Sequence, residues 1–128
     1  MVKIMIIEDD FSIAKLISEN LAKWQMDSYI TKDFDNIIEQ FKEYQPDLVL
    51  LDINLPVYDG YYWNQEIRKI SKLPIIIISS RNSNMDQIMA MNMGADDFVE
   101  KPFSVDILVA KINALLRQIG RASCRERV

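Results

Sequence analysis

Asp52 closes the run Leu48-Val49-Leu50-Leu51, which lies between Pro46 and Pro56. Branched apolar residues in such a run read as a strand buried on both faces. The residue at its C-terminal end then emerges at the sheet edge, where α/β proteins hold their ligands. The pattern recurs at Lys3-Ile4-Met5-Ile6-Ile7, which ends in Glu8-Asp9-Asp10, and at Ile75-Ile76-Ile77-Ile78, which ends in Ser79-Ser80. Lys101, just before Pro102, can bring an ammonium to the same edge. A carboxylate nucleophile, further carboxylates able to hold a hard cation, a hydroxyl and a lysine are together what phosphoryl transfer to an aspartate requires.

The elements that must present these groups follow from apolar spacing. Ile13, Leu16, Ile17, Leu21 and Trp24 recur at helical intervals, as do Ile37, Ile38 and Phe41 before Pro46, and Trp63, Ile67 and Ile70 before Pro74. Met85, Ile88 and Met89 give a shorter helix that Gly94 can close in a left-handed conformation, and Leu108, Ile112, Leu115 and Leu116 give a last one starting near Ser104. With weaker strands near Ser28-Tyr29-Ile30 and Phe98-Val99-Glu100, five strand-helix units follow one another. That alternation predicts an α/β fold, a five-stranded parallel sheet with helices on both faces. The order 2-1-3-4-5 suits it better than a closed barrel, which needs roughly twice the length. In this flavodoxin-like order the first strand lies beside the third, so Glu8 and Asp9 come next to Asp52. Like charges ~5 Å apart at an effective dielectric of ~20 repel by roughly 3 kcal/mol per pair. A divalent ion such as magnesium, which takes carboxylate, water and phosphate oxygens in octahedral array, would relieve that repulsion.

Composition narrows the alternatives. The 128 residues suit one domain with a real core; 49% are hydrophobic and 27% charged, as in a folded chain. No apolar stretch reaches ~18 residues and no signal-peptide pattern opens the chain, so the expected location is cytoplasmic, without membrane insertion. The single cysteine, Cys124, cannot form an internal disulfide, and with no histidine the usual zinc sites and His-dependent triads are excluded. A net charge of -4 without a basic cluster in the body argues against direct nucleic-acid binding.

These motifs resemble the receiver domain of bacterial two-component response regulators, from Lys3 to about Gln118. The matching segments are Ile7-Glu8-Asp9-Asp10, Asp52-Ile53-Asn54-Leu55-Pro56 with Asp59-Gly60, the Pro74 strand ending in Ser79, Gly94-Ala95-Asp96-Asp97-Phe98 and Lys101-Pro102-Phe103. The resemblance implies that Asp52 is the phosphoacceptor and that Glu8, Asp9 and Asp52 bind magnesium with the backbone carbonyl of Asn54. It further implies that Ser79 is the switch hydroxyl, that Lys101 pairs with the phosphoryl group, and that Lys101-Pro102 is a cis peptide. A finer similarity is to regulators carrying a C-terminal winged-helix DNA-binding domain. Among these, Asp59-Gly60-Tyr61-Tyr62-Trp63, Ser79-Ser80-Arg81 and Met91-Asn92-Met93-Gly94 resemble regulators of resistance to bacitracin and cationic antimicrobial peptides. Two departures stand out. The switch aromatic is Phe98 where many relatives have tyrosine, and Ile107 stands where winged-helix relatives often have an acidic dimer contact.

Taken singly, each group has a plainer reading. Asp52 could be a turn former, Glu8-Asp9-Asp10 a helix cap, Ser79-Ser80 a loop and Lys101 a solvated charge; their joint occurrence at four strand ends favours chemistry. Met85, Met89, Met91 and Met93 read mostly as core filling, with any outward ones forming an adaptable partner surface. Trp24 and Trp63 read as packing, and Phe98 as core or switch.

Residues 1–118 thus form the expected receiver domain. Residues 119–128 show no periodicity, resemble a sequencing-adaptor sequence read through in frame, and read as a non-native tail that leaves a C-terminal DNA-binding domain absent. Setting aside Arg121, Arg125, Arg127 and Glu126 reduces 15 basic and 19 acidic residues to 12 and 18. The expected function is a phosphoacceptor rather than an enzyme. A separate sensor histidine kinase supplies the phosphoryl group, phosphorylation drives homodimerisation, and transcription is controlled through DNA contacts made only by the missing domain. A stand-alone receiver acting as a protein-binding adaptor is the alternative. An aspartyl-nucleophile phosphatase is a third reading, weakened because Asn54 replaces the second aspartate such enzymes use.

Overall fold

The computed structural model describes residues 1–80 and 84–126, with residues 119–126 in backbone only. Arg81, the side chain of Cys124, and residues 127 and 128 lie outside the described residues. The strands are β1 (Lys3–Ile7), β2 (Asp27–Ile30), β3 (Leu48–Asp52), β4 (Ile75–Ser79) and β5 (Asp97–Glu100). The helices are α1 (Phe11–Lys23), α2 (Ile37–Tyr44), α3 (Gly60–Arg68), α4 (Asn84–Asn92) and α5 (Val105–Glu126). All strand pairs are parallel, in the order β2-β1-β3-β4-β5 expected from the sequence.

Strand alternation sorts the core into two layers. Ile4, Ile6, Leu48, Leu50, Ile76, Ile78 and Val99 pack with Ala14, Ile17 and Leu21 of α1 and Leu108, Val109 and Ile112 of α5. Met5, Ile7, Val49, Leu51, Ile75 and Ile77 pack with residues of α2, α3 and α4. The three central strands are buried along their whole length, which is why their sequences are continuous apolar runs and not alternating ones.

Several expectations shift. Trp24 is the C-cap of α1 and is 57% exposed, so it is not a packing residue; Leu16 also faces outward. Ile70 lies past the end of α3 and is half exposed. In α4 the buried residue is Ala90, while Met85, Ile88, Met89 and Met91 are exposed; only Met93 among the four methionines packs against the core. Ala90 is thus the α4 residue that meets the α2/α3/α4 layer. Helix α5 continues past Gln118 to Glu126, beyond the end expected from its apolar spacing, because a helical backbone propagates at little cost once nucleated.

Gly60 opens α3 against the end of β3. A Cβ there would lie 2.2 Å from the Asp52 carbonyl oxygen and 2.8 Å from Ile53 Cα, so no larger residue fits without moving the helix off the strand. Gly60→Ala should destabilise the fold by at least about 2 kcal/mol, lowering the melting temperature by roughly 8 °C. Thermal denaturation followed by circular dichroism checks this, and an unchanged midpoint would contradict the close approach.

Candidate functional site

Register brings the groups together. Ile7 is paired with Leu51 and Asp52 with Ile78, so Glu8 follows β1 directly opposite Asp52, and Ser79 sits across from Glu100. Alternation then selects sides. Glu8 continues the row of Ile4 and Ile6, Asp52 that of Leu48 and Leu50, and Lys101 that of Val99, all toward the α1/α5 layer. The three therefore converge. Lys101 Nζ lies 2.5 Å from Glu8 Oε1 and 3.3 Å from Asp52 Oδ2. Its backbone N–H donates to the Ser79 carbonyl at 2.8 Å, which ties the loop after β5 to the end of β4, and the Lys101-Pro102 peptide is cis as the resemblance implies.

The acidic triplet divides its work. Asp10 caps α1, its carboxylate accepting from Ser12 N and Ile13 N at 3.0 and 3.3 Å, so the plainer capping reading holds for this residue. Glu8 and Asp9 join Asp52 instead: one oxygen from each of the three lies within 4.8 Å of the others. Glu8 and Asp52 are almost fully buried, whereas Asp9 is exposed at the mouth. Asp52 Oδ1 accepts from Asn54 N at 3.3 Å, folding the start of the next loop back over this carboxylate. Ser79 is fully buried at the end of β4, and Phe98 is half-buried on the opposite face, against the α2/α3/α4 layer.

Electrostatics follow from this crowding. Burial pushes the Glu8 carboxyl above its ordinary value of 4.5, with Lys101 opposing and Asp52 reinforcing the shift. Asp9 is raised from 3.8, again by burial first and then by Glu8. Lys101 is raised from 10.5: burial opposes its charge, but Glu8 and Asp52 together outweigh burial. The contact between Lys101 and Glu8 is ionic and not directional, since the buried Glu8 Oε1 lacks an aligned donor. An under-satisfied oxygen among three carboxylates, only one of which sits at the surface, is a donor set of the kind a hard, oxygen-seeking cation takes. The residues present thus fit a magnesium ion.

The positions that spacing did not single out are Gly60 as a spacer and Val57. Val57 has a positive φ of 71°, which no apolar pattern could indicate because its exposed side chain takes no part in either core layer.

The raised carboxyls have a measurable consequence. A group whose pKa is higher folded than unfolded adds stability that is fully present below the unfolded value and lost as pH rises through the folded value. For Glu8 and Asp9 that loss begins above about pH 4 and is complete once both are ionised. Asp9→Asn should therefore melt higher than the parent in metal-free buffer, by a margin that grows from acid to neutral pH. Millimolar magnesium should raise the parent's melting temperature and leave the variant nearly unchanged. A parent indifferent to magnesium at neutral pH would show that the cluster does not act as a cation site.

Comparison with known proteins bears directly on this geometry. Residues 4–113 match the response regulator receiver domain. The chain is 48% identical over 119 residues to the sensory transduction protein BceR of Halalkalibacterium halodurans, covering 93% of this chain and 52% of that protein. It is 49% identical over 116 residues to the transcriptional regulatory protein YxdJ of Bacillus subtilis, covering 91% and 51% respectively. The chain thus spans about half the length of the curated relatives it matches. Among solved structures, the N-terminal domain of the nisin resistance regulator NsrR superposes with a TM-score of 0.84 at 44% identity, covering 91% of this chain and 98% of that one. The BeF3-activated receiver domain of Klebsiella pneumoniae RstA gives 0.85 at 36% identity, covering 90% and 98%. A parallel sheet in the order 2-1-3-4-5, an acidic cluster at its carboxyl edge and these likenesses agree: the chain belongs to the receiver domain family of two-component response regulators.

Proposed function

We propose that this chain accepts a phosphoryl group on Asp52 from the phosphohistidine of a sensor kinase, and that the modified domain changes its own association to control transcription. The observation that carries this reading is the Lys101 ammonium held between the buried carboxylates Glu8 and Asp52, with Asp9 completing the cluster. In the transfer, an Asp52 carboxylate oxygen attacks phosphorus in line as the bond to the histidine nitrogen breaks, its electrons passing to the departing imidazole. Negative charge accumulates on the transferred oxygens. Lys101 is placed to pair with it, and the Ser79 hydroxyl, at the end of the adjacent strand, to donate to it. Glu8, Asp9, Asp52 and the backbone carbonyl of Asn54 would hold magnesium, which when bound neutralises part of the phosphoryl charge. The chain is an acceptor that assists its own modification, not an enzyme with turnover.

This chain contains no histidine, so the phosphohistidine donor lies outside it. Beside the site, Ile13, Leu16, Ser80, Lys101, Pro102 and Phe103 line a groove of about 330 Å³, and Phe11 and Leu16 of α1 are exposed next to it. An apolar groove bordering the acceptor supports docking of an apolar kinase surface there, in the cytoplasm. Residues 1–118 form the receiver in this reading, 119–128 lie outside it, and the DNA-reading domain lies in the part of the protein to which the second half of the longer relatives corresponds. Asp52→Asn should abolish labelling by acetyl phosphate with magnesium. Asp59→Asn should not, because Asp59 serves α3 as its N-cap, accepting from Tyr62 N at 3.0 Å. Intact-mass measurement decides, and undiminished labelling of the Asp52 variant would move the acceptor elsewhere.

The switched surface is the face of α4, β5 and α5. Met85, Ile88, Met89 and Met91 of α4 and Ile107 of α5 are exposed there. Asp96 is engaged within the chain, accepting from Ile75 N and from Arg68 Nη2, each at 2.8 Å, so it is not a free partner for a second copy. Asp97 pairs with Lys111 at 3.1 Å in the same chain, leaving the apolar patch as the main source of association. A phosphoryl group brings about two negative charges and strong acceptor oxygens; drawing Ser79 toward them shifts the end of β4 and frees Phe98 to turn inward. The beryllofluoride-activated parent should dimerise through this face, and Ser79→Ala should accept phosphate yet dimerise several-fold more weakly. Sedimentation with and without beryllofluoride tests the coupling, and an activated parent that stays monomeric at high concentration would refute it.

A further inference from the structure

The segment between Asp52 and α3 leaves and returns to a single carbonyl: Ile53 O accepts from Leu55 N at 3.0 Å and from Gly60 N at 2.8 Å. The chain from Asn54 to Asp59 must therefore reverse direction inside a closed ring. Part of that reversal falls on Val57, at φ 71°, with Tyr58 N donating to Pro56 O at 2.9 Å. A three-residue turn of this hand is rare and strained, and a β-branched residue is among the least suited to it. Something must hold it. The Tyr58 ring stacks on Tyr62 with centroids 4.3 Å apart and planes 21° from parallel. Both rings meet Trp63 edge-on, at 5.9 and 4.9 Å. Trp63 is buried in the α2/α3/α4 layer, so the two exposed tyrosines are moored to the core through it. At the other side of the ring, Asn54 donates its backbone N–H to Asp52 Oδ1, and the Leu55 bond to Ile53 O turns the chain at Asn54 itself.

We propose that the Val57 turn, clamped by Tyr58 against Tyr62 and Trp63, is a positioning device for the metal edge, keeping the ring closed so that Asn54 is fixed beside the carboxylate cluster before a cation arrives. This rests on the magnesium reading above. Without the clamp, Val57 relaxes to a negative φ, the ring opens and Asn54 loosens. With glycine at 57 the left-handed conformation carries no steric penalty, so the ring stays closed whether or not the clamp is present. The two positions are thereby coupled, and neither touches the cation.

A double-mutant cycle on the whole chain tests this, read by calorimetric titration with magnesium and by amide exchange of Leu55 and Tyr58 in the metal-free protein. Tyr58→Ala should bind magnesium about tenfold more weakly, as loss of an orienting contact behind a metal ligand does. It should also exchange both amides faster, while Tyr58→Phe, which keeps the stack, should match the parent. Val57→Gly should bind like the parent, and Val57→Gly combined with Tyr58→Ala should recover to within about twofold of it. A Tyr58→Ala variant with parental affinity, or a double variant as weak as Tyr58→Ala, would overturn the proposal. A parent that binds no magnesium at all would overturn the metal reading beneath it, so the two failures are distinguishable.

Discussion

Everything at the carboxyl edge of this sheet depends on crowding negative charge where water is scarce. Glu8 and Asp52 are 1% and 2% exposed, and burying one such ion without a partner costs several kcal/mol. Lys101 is the partner the fold provides, and its pairing with both carboxylates outweighs the burial of its own ammonium. The compensation is incomplete: among the described residues one cation faces three carboxylates, and the Glu8 oxygen nearest it has no aligned donor. The residual negative potential is what suits this edge to a divalent ion, whereas a fully neutralised edge would be more stable and would offer such an ion little.

The parallel arrangement is what allows such crowding. Antiparallel neighbours would send adjacent strand ends to opposite edges, whereas here β1, β3, β4 and β5 all end on the same side. The mainly apolar cost of holding them is met far from the site, by central strands whose every residue is buried between two helical layers. Gly60 shows how tight the joint is, since the Asp52 carbonyl occupies the space a methyl group would need.

Legibility in the sequence followed burial. The runs ending at Ile7, Leu51 and Ile78 are continuous because the strands are covered on both faces, and from those runs the strand order, the neighbours and the convergence of Glu8, Asp9 and Asp52 all followed. Where burial is partial, apolar spacing misled. Met85, Ile88 and Met89 recur as a buried face would, yet they are exposed and Ala90 makes the contact. Trp24 fits a helical interval by number but falls at the C-cap, where the backbone has left the helix and the side chain is exposed. Asp96 belongs to the Gly94-to-Phe98 motif, whose spacing assigns it no contact. It is bound by Arg68, whose guanidinium also donates to the carbonyls of Gly94 and Leu73, and sequence spacing carries no trace of contacts between residues so far apart.

These contacts divide α4 into two unequal ends. Its C-terminal end is tied to α3 by Asn64 Nδ2, which donates to Met93 O at 2.5 Å, and by the Arg68 guanidinium on Gly94 O at 2.6 and 2.9 Å. Charge-assisted bonds of that kind are roughly twice as strong as neutral ones. At its start, the Tyr61 hydroxyl reaches Asp86 at 3.2 and 3.5 Å, the longer and weaker geometry. With one alanine buried beneath it, the helix owes little of its position to apolar packing. The hydrogen bonds from α3 are thus shorter beyond the last turn of α4 than at its start. The methionines exposed along α4 therefore sit on a helix whose shortest ties to α3 lie just beyond its last turn, so polar contacts more than core packing fix where that apolar surface points.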